Sequence, residues 1–184
     1  TTLFRSNYAR MVTAGRINAA EADARQSRVQ VVPALDAMHD CDLVIEAVFE
    51  DRAVKADTTR KADAVTKDTA IFGSNTSTLP IGGLAEASKR PKSFIGIHFF
   101  SPVDRMMLVE IIKGKDTGTK AIAAAVDFVR AIGKTPILVN DARGFYANRC
   151  VLNYLLEGHL MLDEGIPPAM IENAARMAGM PVGP

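Results

Sequence analysis

Two side chains stand where their neighbours argue against them. Glu110 lies inside Leu108-Val109-Glu110-Ile111-Ile112, and His98 inside Ile95-Gly96-Ile97-His98-Phe99-Phe100. Both runs are apolar enough for strands buried on both faces. An ionised carboxylate in such a place is costly unless a cation or hydrogen-bond donors meet it. On neighbouring strands each residue would answer the other's need. Glu110 would accept from one imidazole nitrogen and leave the other facing a cleft. That arrangement fixes the tautomer and raises the basicity of the ring, as a general base near neutral pH requires. The same residues are equally compatible with a satisfied core histidine and an unrelated carboxylate at a strand end, and the two strands alone do not choose.

Other polar groups are weaker signals. Ser74-Asn75-Thr76-Ser77-Thr78 closes an apolar run at Ile71-Phe72. Ligands of open α/β sheets gather at the carboxyl ends of strands, so these hydroxyls and the one amide are candidate contacts. Helix capping and turn chemistry explain most clusters of this kind. Glu46, Glu50 and Lys55 flank the end of another strand and, taken singly, read as solvated residues near a helix N-terminus. Asn148-Arg149 follows Arg143-Gly144-Phe145 with no chemistry visible in isolation, and His39 and His159 read as surface or packing residues. Neither Cys41 nor Cys150 has metal-like or Cys-x-x-Cys spacing, and no metal site is expected. Gly-x-Gly-x-x-Gly, the loop that brings a dinucleotide pyrophosphate to a helix N-terminus, does not occur.

The elements that must position these residues follow from hydrophobic periodicity. A polar helical stretch spans 7–28, broken at Gly15 and restarted with Asn18 as cap. Short strands are expected at 29–32, 42–48, 69–73, 94–100, 107–112 and 136–139, with helices at 52–65, 83–87 and 119–132 between them. The strands at 94–100 and 107–112 are close enough to be antiparallel, and a crossover is the other arrangement. From Phe145 the strand pattern stops, and 148–164 and 168–178 read as helices. The fold class is therefore α/β: an incomplete Rossmann-type domain over residues 1–141, then the start of an all-α domain over 142–184.

The bulk properties narrow the function classes. With 184 residues, 48% hydrophobic, and a net charge of +1, the composition is that of a globular protein without the basic surplus of a nucleic-acid or anionic-membrane binder. No apolar run approaches the ~20 residues of a membrane span, and residues 1–15 lack the apolar core of a signal peptide. Unpaired cysteines suit a cytoplasmic enzyme, and equally a mitochondrial or peroxisomal one. The first residue is Thr1, not Met, and Pro184 directly follows a helix-like segment and a turn, so the chain is expected to be a piece of a longer one, with residues 1–6 foreign to it.

Several motifs in order and spacing resemble the 3-hydroxyacyl-CoA dehydrogenase family. They are Ser74-Asn75-Thr76-Ser77, His98-Phe99-Phe100-Ser101-Pro102, Leu108-Val109-Glu110-Ile111-Ile112, Gly133-Lys134-Thr135-Pro136, Val139-Asn140-Asp141 and Gly144-Phe145-Tyr146-Ala147-Asn148-Arg149, with Gly179-Met180-Pro181-Val182-Gly183-Pro184 at the end. The resemblance runs from about Tyr8 to the last residue. Asp104-Arg105 and the polar helix pair at the start are more similar to the multifunctional fatty-acid oxidation proteins than to the short monofunctional enzymes.

This resemblance implies an NAD-dependent oxidoreductase of fatty-acid β-oxidation, converting a (S)-3-hydroxyacyl-CoA thioester to its 3-oxo form. It implies His98 as general base, with Glu110 orienting it and stabilising the imidazolium, as the acid of a catalytic triad does. It further implies that Ser77 and Asn148 contact substrate, and that Glu50, Lys55, Ser77 and Ser101 contact NAD. The expected partners are the acyl-CoA substrate and, for the full-length protein, a second copy or a fatty-acid oxidation complex. The family's glycine-rich loop and ribose-binding acid are expected to precede Thr1, so the chain alone is expected to be inactive and to carry an exposed sheet edge. Ser101 stands where many members have Asn, Arg143 replaces a frequent Pro, and Asp57-Thr58-Thr59 is more polar than the usual helix face. Two other readings share these residues: a dehydrogenase of 3-hydroxybutyryl-CoA or another 3-hydroxy acid, and a non-catalytic member redeployed for binding or structure.

Overall fold

The computed structural model describes residues 2–184, with side chains from Arg5 onward. The chain divides into two compact units, Thr1–Ala37 and Met38–Pro184. The first holds helices α1 (Thr2–Thr13) and α2 (Ala19–Gln26). Gly15, at φ +65°, turns the chain out of α1. The Asn18 side chain then accepts from the Glu21 amide at 2.8 Å and starts α2, as its residue type predicts. The strand expected at 29–32 does not form. Val29, Val31 and Val32 are 49%, 70% and 38% exposed, and the segment joins no sheet. β-branched residues favour a strand only when another strand supplies the ladder and a face to bury.

The second unit is built on one five-stranded sheet in the order β1 (Leu43–Glu46), β2 (Ile71–Ser74), β3 (Phe94–Phe99), β4 (Leu108–Lys113), β5 (Thr135–Asn140). β1, β2 and β3 run parallel, β4 is antiparallel to β3, and β5 is parallel to β4. Helix α3 (Arg52–Val65) connects β1 to β2. Helix α4 (Ile81–Ala85) lies between β2 and β3, and α5 (Thr119–Ala131) between β4 and β5. Helices α6 (Ala147–Asp163) and α7 (Pro168–Met177) follow the last strand. This is the α/β class expected, a Rossmann-like sheet followed by helices.

Alternation along the strands separates two cores, one on each sheet face. Phe72, Phe94 and Ile112 pack with Ala62 of α3, with Ile81, Leu84 and Ala85 of α4, and with Phe145. Ile71, Ile95, Ile97, Val109 and Ile111 pack against Ala121, Ala125 and Val129 of α5. Gly96 lets the first cover come close, because a Cβ there would meet Ile112 and Ile81 atoms at 2.8 Å. The antiparallel register of β3 and β4 puts His98 directly opposite Glu110. Opposed residues project to one face, and by alternation it is the face of Phe94, Gly96 and Ile112. Strand pairing alone thus brings the two buried polar residues together.

Candidate functional site

Glu110 is fully buried and His98 is 6% exposed. His98 Nδ1 lies 2.8 Å from Glu110 Oε2. The other carboxylate oxygen, Oε1, accepts from the backbone amides of Tyr146 at 3.0 Å and Ala147 at 2.8 Å. These amides open α6, whose own N-cap residue supplies no side-chain bond. Glu110 is therefore a remote cap for that helix as well as the partner of His98, and its charge meets the positive end of the helix dipole. Burial pushes the Glu110 carboxyl upward, but the bonds from His98, Ala147 and Tyr146 outweigh it and hold the group below the ordinary glutamate range. Glu110 is thus an ionised acceptor, and its bond to Nδ1 is donated by the ring. With the proton on Nδ1, Nε2 is the basic nitrogen. Nε2 bonds to no described group and is not sealed from solvent.

The turn that delivers α6 is conformationally special. Gly144 and Phe145 have φ of +72° and +51°. The left-handed region costs a non-glycine residue about 1–2 kcal/mol. Phe145 is 2% exposed and its ring centroid lies 6.1 Å from that of His98, with Phe100 at 4.5 Å on the imidazole. Packing of Phe145 into the core offsets the strain, and the turn aims the Tyr146 and Ala147 amides at Glu110.

Asn148 follows Ala147 directly, and its Nδ2 donates to the Ser77 carbonyl at 2.8 Å. Ser77 is half-buried, and its Oγ is bonded to no described group. The bonds thus form a chain His98–Glu110–Ala147/Asn148–Ser77, which gathers four of the residues expected at the site. Ser101 is not gathered with them. It is exposed in the turn after β3 and makes no hydrogen bond among the described residues.

At the carboxyl ends of β1 and β2 stands a second polar group. Lys55 is 2% exposed and Glu46 5%, so the expectation of solvated side chains is wrong for both. Lys55 Nζ donates to Glu46 Oε1 and Oε2 at 3.0 and 3.1 Å and to the Val48 carbonyl at 3.3 Å, and pairs with Glu50 Oε2 at 3.1 Å. Lys55 is buried because α3, capped by Asp51, directs its first turn back over the end of β1. Glu50, whose side chain is 36% exposed, accepts through Oε1 from Thr76 Oγ1 at 2.5 Å and from the Ser77 amide at 3.1 Å. Burial raises the Glu50 carboxyl, but Thr76 and the Lys55 ammonium lower it further, so the net position is below the ordinary range. Ser74 and Thr76 are buried and spent on internal bonds, and Asn75 Oδ1 accepts from the Phe99 amide at 2.9 Å. Asn75, whose amide was a candidate ligand contact, is spent instead on the Phe99 backbone, and Glu46 organises the site although its sequence position read as solvated. Glu46 had a signal in the apolar run Leu43-Val44-Ile45 before it.

Asp141 joins the ends of the unit. Its two oxygens accept from the Ile81 and Gly82 amides at 2.8 and 2.7 Å and start α4. Asp141→Ala is expected to cost about 1 kcal/mol locally. Hydrogen exchange should read this as several-fold faster exchange of the 81 and 82 amides; unchanged protection would show that the cap is idle.

A dinucleotide on a doubly wound sheet lies across the carboxyl ends of parallel strands. The groups there fit one side of it: the ionised Glu50 carboxylate at the mouth and the uncommitted Ser77 Oγ. No Gly-x-Gly-x-x-Gly for its pyrophosphate occurs in the 184 residues.

Comparison with known proteins matches residues 1–142 to the family model described as 3-hydroxyacyl-CoA dehydrogenase, NAD binding domain, and residues 144–184 to 3-hydroxyacyl-CoA dehydrogenase, C-terminal domain. The fatty acid oxidation complex subunit alpha of Shewanella halifaxensis is 46% identical over 145 residues, covering 79% of this chain and 20% of the relative. The chain thus spans about a fifth of the length of the curated relatives it matches. Among solved structures, 3-hydroxybutyryl-CoA dehydrogenase from Escherichia coli superposes with a TM-score of 0.94 at 30% identity, covering 98% of this chain and 39% of that one. FadB2 of M. tuberculosis superposes with a TM-score of 0.91 at 33% identity, covering 97% and 64%.

Proposed function

We propose that this chain, which belongs to the 3-hydroxyacyl-CoA dehydrogenase family, carries the proton-transfer machinery of an NAD-dependent oxidation of (S)-3-hydroxyacyl-CoA to 3-oxoacyl-CoA. The observation that carries the reading is the buried Glu110 bonded to His98 Nδ1, with Nε2 left accessible. NAD, when bound, supplies the carbon that accepts hydride from substrate C3. His98 Nε2 takes the proton of the 3-hydroxyl as the carbonyl forms. Glu110 holds the ring in the tautomer that leaves Nε2 basic and stabilises the imidazolium that results. Asn148, docked on the Ser77 carbonyl, and the free Ser77 Oγ position the substrate oxygen. Glu50, Ser77 and Ser101 would hold the cofactor, and Lys55, buried with its donors engaged, would serve it by fixing Glu50.

We place the domain boundary after Asp141, in the turn that leads into α6, which accords with the family matches over residues 1–142 and 144–184. Residues 142–184 would then begin the helical domain that completes the substrate site. No helix among the described residues is long and apolar enough to cross a membrane. Both cysteines are free thiols, in keeping with a cytoplasmic setting. Assembly into a fatty-acid oxidation complex accords with the name of the Shewanella relative.

The testing experiment is reduction of acetoacetyl-CoA by NADH, followed at the nicotinamide absorbance, with the full-length protein. Turnover of the thioester is the expected result. A folded protein that binds NADH without turnover would overturn the catalytic reading, and activity on free acetoacetate alone would replace the substrate class.

A further inference from the structure

Glu46 is a buried carboxylate to which the dehydrogenase chemistry assigns no task. It ends β1 and touches Lys55 Nζ with both oxygens. The Ser74 hydroxyl donates to its Oε1, and the Val48 amide donates to Oε2 at 3.0 Å. It is therefore fixed from three sides: by its own strand's exit, by the end of β2 and by the first turn of α3. The charges form a line from the interior outward. Glu46 is buried, Lys55 is buried beside it, and Glu50 stands at the mouth with its Oε1 on Thr76 and on the Ser77 amide. One cation is shared by two carboxylates, and all of its hydrogen-bond capacity is engaged.

We infer that Glu46 is a positioning residue for the cofactor, acting through Lys55 on Glu50 and the Ser77 turn; this rests on the dehydrogenase reading. With both Glu46 oxygens on its Nζ, Lys55 is held inward and meets Glu50 through Oε2 only, so Oε1 stays on Thr76 and Ser77. With Glu46 replaced by glutamine, Glu50 becomes the only anion available to a buried ammonium. Glu50 is then drawn inward, which releases the Ser77 amide and removes the carboxylate from the mouth. A buried charge that has lost its partner rearranges toward whatever counter-charge remains. The network lies at the carboxyl ends of parallel strands, where ligands of this architecture gather.

The test uses the full-length protein, with NADH affinity read from the fluorescence of the bound nicotinamide and turnover read with acetoacetyl-CoA. Glu46→Gln keeps the shape and removes the charge. It is expected to weaken NADH binding tenfold or more and to raise the NADH KM in parallel. The loss falls on these constants rather than on kcat at saturating NADH or on the acetoacetyl-CoA KM. Lys55→Met and the double variant Glu46→Gln/Lys55→Met are expected to share one NADH Kd, because Glu46 acts only through Lys55. The double variant removes both buried charges together, so the comparison stands even where the single Glu46 variant is too unstable to purify. Unchanged NADH affinity in folded Glu46→Gln, or a double variant at least fivefold weaker than Lys55→Met, would overturn the inference. A wild-type protein without turnover would instead count against the dehydrogenase reading itself.

Discussion

In the full-length protein, Glu110→Gln is expected to lower the rate of the proposed oxidation of 3-hydroxybutyryl-CoA by NAD by about 10³–10⁴-fold, the scale on which a triad histidine fails when held in the wrong tautomer. The reason lies in the helix behind the carboxylate. Two amides, Tyr146 and Ala147, point at Oε1 and demand an acceptor. A glutamine can meet them only with its carbonyl oxygen, since an amide nitrogen there would leave two buried donors facing a third. Its NH2 group is thereby turned toward His98 Nδ1, which now accepts, and the ring proton moves to Nε2. A protonated Nε2 on a neutral ring cannot take the hydroxyl proton. The charge that supports the imidazolium is lost as well, and both losses act on the same step. Nitrogen-15 NMR of the His98 ring checks this separately from kinetics: Nε2 should change from unprotonated to protonated in the variant. Near-wild-type oxidation, or an Nε2 that stays unprotonated, would remove Glu110 from the mechanism.

The same geometry shows what the sequence could and could not reveal. His98 and Glu110 stand out because a polar residue in an apolar run must have a partner, and the partner is close in sequence. The direction of their strand pair was open, and only the antiparallel register makes them direct opposites. Helix α3 and the start of α5 were legible to the residue, because each is bounded by residues that cap it or turn the chain locally. Helix α4 was expected to start near Pro80, as it does, but its body was placed around 83–87, two residues late. Its start is set by Asp141, which lies some 60 positions away and carries no local signature. The cap of α6 is equally non-local, since Glu110 reaches it from the middle of the sheet.

Glu46 and Lys55 show a different limit. The rule that isolates Glu110 applies equally to Glu46 within Leu43-Val44-Ile45-Glu46-Ala47-Val48, yet with Glu50 and Asp51 close behind it a glutamate near a strand end also reads as part of a solvated acidic exit. A lysine in the first turn of a polar helix reads as exposed for the same reason. Their burial depends on the two being folded onto each other, and pairwise satisfaction of this kind has no one-residue signal. Val29–Val32 fails in the opposite direction: local propensity is strong, and no ladder is there to use it.

His98→Gln is expected to give the largest loss of all, at least as great as that of Glu110→Gln, with NADH affinity within about twofold of wild type. General-base catalysis is worth about 10²–10⁴-fold, and a glutamine has no nitrogen that can hold the proton at neutral pH. Glutamine is the informative replacement because its NH2 can still donate to Glu110 Oε2, so the buried carboxylate keeps a partner. Alanine would leave that oxygen unbonded at about 1–3 kcal/mol and confuse chemistry with stability. Glu50 and Lys55, the groups proposed to serve the cofactor, make no bond to His98 or Glu110, so binding should be spared. The two variants also bear on each other. Glu110 acts on the substrate proton only through the imidazole, so His98→Gln/Glu110→Gln should retain the same residual turnover as His98→Gln alone. Steady-state rates of the three proteins, with NADH titrations beside them, decide the matter. A double variant slower than the histidine variant by a further tenfold, about 1.4 kcal/mol, would mean that Glu110 touches the reaction by a second route, and the positioning of Asn148 at the head of α6 would be the first place to look for it.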